Sequence, residues 1–370
     1  MRVLITVPWE QRLGGAEAML QGVLDGAVES GHELELVFFK PGPWPAELIE
    51  AGFRVTVVPA GRLRHVHRWF ATVFRLARIM RARKPDLILN WSATTQLYGS
   101  PAAMLAGMSS RVVWWQHGIP KRSWLDACAT LLPAAAVGCY SQTSVRAQAR
   151  LLPARPTFAV AAGAPAPEAS SEPAPLALPT DVPIVGIVGR LQPWKGQDRL
   201  LHAQAILRER GHRIHLIIVG GDSYDRSPEY AASLAPLAAN LGIAEDVTMT
   251  GEVVNAGPYI EQMDILVNAS DQEPFGIVIL EGMARGVPVV AVNSGGPADF
   301  IEDGRTGVLA RSDEPGALAN AVEALLVAPD LREQLGRAGR QRFMQEYTTQ
   351  AMRRRFFESL ESVIQGSAVP

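Results

Sequence analysis

The sequence predicts an α/β protein of two doubly wound domains whose parallel sheets face one another across a cleft. Short β-branched runs alternate with helical periodicity along nearly the whole chain, the pattern left by parallel sheets buried on both faces. At 370 residues the chain exceeds what a single core ordinarily supports. The stretch "AAGAPAPEASSEPAPLALPTDVP", Ala161 to Pro183, is rich in Pro, Ala and Ser and lacks apolar periodicity, as an interdomain linker would.

Ahead of that linker the strand-like runs are "RVLITV" from Arg2, "ELELVFF" from Glu33, "FRVTVV" from Phe53, "DLILN" from Asp86, "RVVWW" from Arg111 and "AAVGCY" from Ala135. After it they are "IVGIVG" from Ile184, "IHLIIV" from Ile214, "DVTMT" from Asp246, "DILVN" from Asp264 and "VPVVA" from Val287. In the tail "EYTTQAMRRRFFESLESVI", Met352, Phe356, Phe357, Leu360 and Ile364 recur at helical spacing, so a long terminal helix must dock on something. The expected division is residues 1–163, a linker at 164–182 and residues 183–349, with the terminal helix at about 350–370.

Apolar residues make up 48% and charged residues 19%, which excludes wholesale disorder. Cys128 and Cys139 stand in no metal or redox spacing and argue against a disulfide framework. The start "MRVLITVPWEQ" turns polar too soon for the apolar core of a secretory signal. The longest nearly apolar run, Ala127 to Cys139, contains Pro133 and is too short to span a bilayer. A cytoplasmic protein is the expectation. The net charge of −2 is unevenly divided: Met1 to Val160 holds 18 Lys and Arg against 10 Asp and Glu, and the remainder 17 against 27.

Chemistry-bearing residues gather at strand ends. "IVGIVGR" runs into "LQPWKGQDRLLHA", where Gly189 permits a tight exit and Arg190 and Lys195 flank a loop leading into a helix. Two cations beside free helix N–H groups make an anion site suited to a diphosphate; two solvated surface cations are the competing reading. Glycine loops also follow two other strands, "GGDS" at Gly220 and "AVNSGGPADFIEDGRTG" from Ala291. All three fall on the strand-end side where such sheets bind ligands. After the first strand stands only "LGGAE", Leu13 to Glu17, so a nicotinamide or flavin fingerprint is poorly supported.

In "EPFGIVILEG", Glu273 to Gly282, two acids bracket the apolar run Ile277 to Leu280. Acids near a helix start are common, so this pair alone decides little. Here, however, "DILVNAS" delivers Asp271, Gln272 and Glu273 to the same row of strand ends. Phe275, Gly276 and Ile277 then open a helix with N–H donors, and Glu281 lies about one and a half turns in. The acids are placed for ligand hydroxyls and the apolar run for the sheet. No D-x-D and no metal-ligand cluster occurs, so a diphosphate would be neutralised by Arg190, Lys195 and helix N-termini.

Glu273 and Glu281 fit the E-x7-E motif of the retaining family 4 glycosyltransferases, which have the GT-B fold of two Rossmann-like domains. "GRLQPWKG", "EPFGIVILEGMARGVPVVA" and "SGGPADFIEDGRTGVL" resemble that family's donor-domain motifs in order and spacing, and "LGGAE" resembles its glycine-rich loop. The terminal helix is similar to the one that crosses back onto the N-terminal domain. The resemblance implies an acceptor-binding N-terminal domain and a donor-binding C-terminal one. It assigns Arg190 and Lys195 to the donor diphosphate, Glu281 to the ribose hydroxyls, and Glu273 to the donor sugar, with main-chain amides from Phe275, Gly276 and Ile277. Gly14 and Gly15 would let their loop approach the donor phosphate, and His117, in "WWQHG", would stand beside the donor sugar. Asp299 departs from the family, which has a glutamate there.

The activity so implied is metal-independent transfer of a hexose, with retention, from a UDP- or GDP-sugar to an acceptor hydroxyl on a glycan, glycolipid or lipid-linked intermediate. It needs no cofactor, since the nucleotide sugar is a substrate. The alternatives are a nucleotide-sugar epimerase or phosphorylase on the same fold, and a donor-binding protein without turnover. From Arg62 to Lys84 there are eight Lys and Arg, no acids, and His65 and His67. Val66, Trp69, Phe70, Val73, Ala77 and Met80 mark a stripe expected to dock on the N-terminal sheet. The cations are either simply solvated or face an anionic membrane surface or lipid-linked acceptor. Nucleic acid is not an expected partner, because no DNA-binding motif is present.

Overall fold

The computed structural model of the chain describes all residues except 13, 28–29, 62, 122, 168–175, 223–226 and 368–370. Leu13 of the glycine loop, Arg62 of the basic run, the middle of the linker and Ser223 therefore lie outside the described residues. The chain divides into two compact units. One is Met1–Ala162 together with Thr349–Pro370, and the other is Gly163–Thr348.

The first unit is built on β1 (Arg2–Val7), β2 (Glu33–Phe38), β3 (Arg54–Val57), β4 (Leu87–Asn90), β5 (Val112–Gln116), β6 (Ala136–Cys139) and β7 (Thr157–Ala159). They form one parallel sheet in the order β3-β2-β1-β4-β5-β6-β7. β1 and β4 pair in register from Val3↔Leu87 to Thr6↔Asn90, and both are buried on either face apart from Arg2. Each aliphatic side chain so buried contributes about 1.5–3 kcal/mol. The polar members of this core are satisfied in sequence: Thr6 Oγ1 donates to Asn90 Oδ1 at 2.8 Å, and Asn90 Nδ2 to Gln96 Oε1 at 2.8 Å.

The terminal helix Thr349–Gln365 packs into this unit. Met352, Phe356, Phe357 and Leu360 are buried, and the Phe356 ring lies 5.2 Å from that of Trp115. Gly22, in the helix Gly15–Leu24, makes the close approach possible: a Cβ there would stand 3.0 Å from Thr349 Cγ2. Ile364, expected in the apolar stripe, is instead exposed, because the buried face ends a turn earlier.

The basic stripe also differs from expectation. In the helix Val66–Arg83 the buried residues are Thr72, Val73, Leu76, Ala77 and Met80. Trp69 is half-buried, but Val66 and Phe70 turn outward, joined by Phe74. The helix docks on a narrower arc than the stripe implied.

The second unit holds β8 (Ile184–Val188), β9 (His215–Val219), β10 (Val247–Met249), β11 (Ile265–Asn268), β12 (Val289–Val292) and β13 (Val308–Ala310). Their parallel order is β10-β9-β8-β11-β12-β13. The strand order reverses between β8 and β11, and the crevice outside such a reversal is where open α/β sheets take ligands. β7 and β13, absent from the sequence reading, are three-residue edge strands and too short to show a period.

Candidate functional site

β8 and β11 are neighbours in the second sheet, so the loops that follow them emerge side by side although they are far apart in sequence. Glycines let these loops lock together. Gly189 (φ 148°) donates its N–H to Val219 O at 2.9 Å, and Leu191 N–H reaches Gly221 O at 2.9 Å. At Gly220 (φ 138°) a Cβ would collide with the Gly189 carbonyl, so no other residue fits. The single turn Pro193–Lys195 follows, then Gly196 (φ 76°), which starts the helix Gln197–Glu209. A Cβ on Gly196 would meet the Ala269 carbonyl, and Asp271 N–H donates to Trp194 O at 2.9 Å. The β8 loop and the β11 loop are thus joined through backbone.

That joint brings Lys195 onto Glu273. Nζ lies 2.6 Å from Oε2, with the side chains 16% and 8% exposed, and the ammonium sits 4.1 Å from the Trp194 ring centroid. Glu273 is itself held from behind, since Gly296 N–H donates to its carbonyl at 2.7 Å. Cβ atoms at Gly295 or Gly296 would strike the backbone of Glu273 or Pro274. These glycines explain "SGG": the loop must lie flat against the acid's main chain. Arg190 lies on the same loop as Lys195, partly exposed, and its guanidinium has no partner among the described residues.

The helix Ile277–Arg285 starts at Gly276 (φ 97°) and buries Ile279, Leu280, Met283 and Ala284. The amides of Phe275, Gly276 and Ile277 donate to no acceptor among the described residues. The Phe275 ring is committed to the core, stacked 4.8 Å from Phe300. Glu281, one turn further, is partly buried. Burial pushes its carboxyl above the usual range, opposed by the nearby Arg285. Arg285 in turn is held by Glu261 at 3.3 Å. The Glu281 carboxylate accepts no hydrogen bond among the described residues. Lys195 and Glu273 are thus in direct contact, Arg190 shares the loop of Lys195, and the three amides and Glu281 lie on the segment that follows Glu273.

Gly14, Gly15 and His117 belong to the first unit. His117, just past β5, has both ring nitrogens engaged: Nε2 lies 2.5 Å from Trp91 O and Nδ1 2.6 Å from Tyr140 Oη. A carbonyl oxygen only accepts, so Nε2 carries the proton and Nδ1 accepts from the Tyr140 hydroxyl. Burial lowers the imidazole to about 4, against a smaller opposing effect of the Trp91 bond. Trp9 and Trp91 close on the ring edgewise at 5.4 and 5.1 Å. Burial, then the charge of Glu17, push the Tyr140 hydroxyl well above its usual range. Trp91 Nε1 also donates to Ala16 O at 3.2 Å, which ties this cluster to the helix that Gly14 caps. An acid already faces that helix start, because Glu17 Oε2 would lie 3.0 Å from a Cβ at Gly14. Trp91, Trp194, Tyr140 and Glu17 escaped the sequence reading. Their one common signal is position, immediately after a strand or in the first turn that follows.

Among the described residues no three His, Cys, Asp or Glu side chains gather as metal ligands.

Known proteins extend this picture. A family model described as Glycosyltransferase Family 4 matches residues 13–157, and one described as Glycosyl transferases group 1 matches residues 169–342. D-inositol 3-phosphate glycosyltransferase 2 of Catenulispora acidiphila is 40% identical over 158 residues, covering 41% of this chain and 37% of the relative. The lipopolysaccharide core biosynthesis glycosyltransferase LpsE of Rhizobium meliloti is 31% identical over 189 residues, covering 51% and 53%. The chain thus matches about half or less of these curated relatives' length. Among solved structures, Anabaena Alr3699/HepE in complex with UDP superposes with a TM-score of 0.83 at 22% identity, covering 98% of this chain and 100% of that one. Sucrose-phosphate synthase of Thermosynechococcus elongatus gives 0.79 at 20%, covering 99% and 100%. At such identities the likeness establishes the fold, which is GT-B.

Proposed function

We propose that this chain, a GT-B glycosyltransferase composed of a family 4 domain followed by a group 1 domain, moves a hexose from a nucleoside diphosphate sugar to an acceptor hydroxyl. The acceptor is a glycan, glycolipid or lipid-linked intermediate, and the sugar keeps its anomeric configuration. The observation that carries this reading is the Lys195–Glu273 pair at the β8/β11 reversal, together with an Arg190 guanidinium that has no partner, and three N–H groups that have no acceptor, among the described residues.

A sugar diphosphate supplies what this constellation lacks. Its phosphate oxygens take the Arg190 guanidinium and the amides at the start of the helix Ile277–Arg285, and its ribose hydroxyls donate to Glu281. Lys195 is the hinge of the site. In the free protein Glu273 holds its charge; with donor present the ammonium is shared with the leaving diphosphate, and Glu273 turns to the sugar hydroxyls. In the transfer step the bond from the anomeric carbon to the phosphate oxygen breaks and the bond to the acceptor oxygen forms on the same face. The acceptor proton passes to the departing diphosphate. The fixed cations and amides lower this barrier by stabilising charge as it develops, roughly 3–4 kcal/mol for a key donor. His117, neutral near pH 7 with its Nε2–H donating to the Trp91 carbonyl and its Nδ1 accepting from Tyr140, is a positioning group and transfers no proton in the reaction.

The test is a panel of nucleotide sugars read by thermal shift and then by nucleotide release with and without acceptor hydroxyls. HepE has been solved with UDP and with UDP-glucose, so uridine donors come first. A true donor at about 100 times its dissociation constant stabilises by about 2.7 kcal/mol. Release that requires acceptor and persists in a chelator supports metal-independent transfer. Binding without any release would leave only a donor-binding protein. Release of a sugar phosphate with inorganic phosphate would mark a phosphorylase.

A further inference from the structure

The outer face of the helix Val66–Arg83 has no counterpart in the site just described. Val66, Phe70 and Phe74 are 60%, 49% and 57% exposed, at four-residue spacing along one flank. Arg75, Arg78 and Arg81 lie on the same exposed face, and Arg64, Arg68 and Lys84 stand exposed at its two ends. No Asp or Glu occurs between Ala51 and Pro85. Arg83 is held by Glu35 at 3.0 Å, but Arg64, Arg68, Arg75, Arg78 and Lys84 have no ion-pair partner among the described residues. Arg81 hydrogen-bonds the Leu105 carbonyl, which brings the end of the helix Ala93–Ala106 beside this face and adds the exposed Met104 and Leu105 to it. Val66, Phe70 and Phe74 leave an apolar strip in water, which is costly unless something covers it, and the arginines around the strip set the charge that the cover must carry.

We propose that this face is a docking surface for an anionic phospholipid bilayer, which it enters as an interfacial helix. The chemistry matches at both levels. Phe70, Phe74 and the Met104–Leu105 end supply apolar groups for the boundary between headgroups and acyl chains. The arginines around them supply charge for lipid phosphates and can lie along the interface on their aliphatic stems. A protein partner would need a matching acidic apolar groove, whereas a bilayer supplies both properties over any area. No helix among the described residues is long and apolar enough to cross a membrane, so the contact is peripheral. The proposal does not rest on the transfer reading.

Co-sedimentation of the full chain with vesicles tests it, comparing pure phosphatidylcholine with vesicles containing roughly one-third phosphatidylglycerol. Binding is expected only to the anionic vesicles, and about tenfold weaker when salt is raised from about 0.1 M to about 0.5 M. Arg75→Glu with Arg78→Glu, and separately Phe70→Ser with Phe74→Ser, should each reduce binding at least about tenfold. Both pairs are exposed, and an unchanged circular dichroism melt shows that each variant folds. Three results would overturn the proposal. One is equal binding to neutral and anionic vesicles, and another is binding untouched by both variant pairs. The third is a self-association of the free chain that disappears in the Phe70→Ser, Phe74→Ser variant, which would assign the face to a second copy.

Discussion

Lys195 and Glu273 neutralise one another in a place that is only slightly exposed, and this changes what replacing either should do. Lys195→Ala leaves a largely buried carboxylate without its cation, so it should cost about 3 kcal/mol of stability as well as turnover. Arg190→Ala removes a guanidinium with no hydrogen-bond or ion-pair partner among the described residues, so stability should stay within about 0.5 kcal/mol while turnover falls about a hundredfold or more. Urea melts beside steady-state rates would separate the two; equal stability for both variants would mean that the ion pair does not form in solution. The two acids should also part. Glu281→Gln should raise the donor KM with kcat little changed, since the ribose is bound alike before and during reaction, whereas Glu273→Gln should depress kcat. The reverse pattern would exchange their roles. For His117 the sign follows from its lowered value. Between about 4 and the ordinary 6.5 the unfolded chain binds a proton that the folded one refuses. Stability from this group is therefore full above 6.5 and falls with pH toward 4, by up to about 3 kcal/mol. In His117→Asn the difference in unfolding free energy between pH 7 and pH 5 should shrink; an unchanged difference would mean the ring is not held neutral.

At the level of elements, the loops after β8, β9 and β12 hold their shape because glycines sit where a Cβ would enter a neighbouring carbonyl. Gly196→Ala and Gly295→Ala combine such a collision with a positive φ, and each should cost at least about 2 kcal/mol and most of the activity. Gly118→Ala, which meets nothing within 4 Å, is the control and should be close to neutral. A denaturation series over the three variants checks the contrast. These same loops show what the sequence could disclose. Strand ends followed by glycine, cation and acid were readable, because a buried parallel strand is a continuous apolar run and its exit is a change of composition. That the Lys195 ammonium would land on Glu273 was not readable. It depends on β8 and β11 being neighbours, and strand order leaves no trace in local pattern. The partners of His117 were hidden for the same reason, since Trp91 and Tyr140 follow β4 and β6, on either side of β5. The helix Val66–Arg83 misled in another way. Its apolar residues outnumber those that its neighbours can cover, so periodicity alone overstated the buried stripe.

Considered whole, the chain places its last helix in the unit that holds its first strand. Phe356→Ala opens a void beside Trp115 and Trp91 and should cost about 3–5 kcal/mol. The loss should fall on the first unit alone, so thermal unfolding should split into two transitions with the second near its original temperature. A single transition moved as a block would show that the two units unfold as one.

This arrangement also orders events during synthesis. Residues 163–348 are contiguous and can fold as soon as they leave the ribosome, while the first unit, although begun earlier, waits for Met352, Phe356 and Leu360 to cover its aromatic core. Until those residues emerge, Trp91, Trp115 and the helix Gly15–Leu24 present uncovered apolar surface to the surrounding chaperones. Ribosome-bound chains stopped short of residue 349 should therefore yield a protease-resistant second unit and a sensitive first one, and the earliest part of the message becomes the last part of the protein to mature.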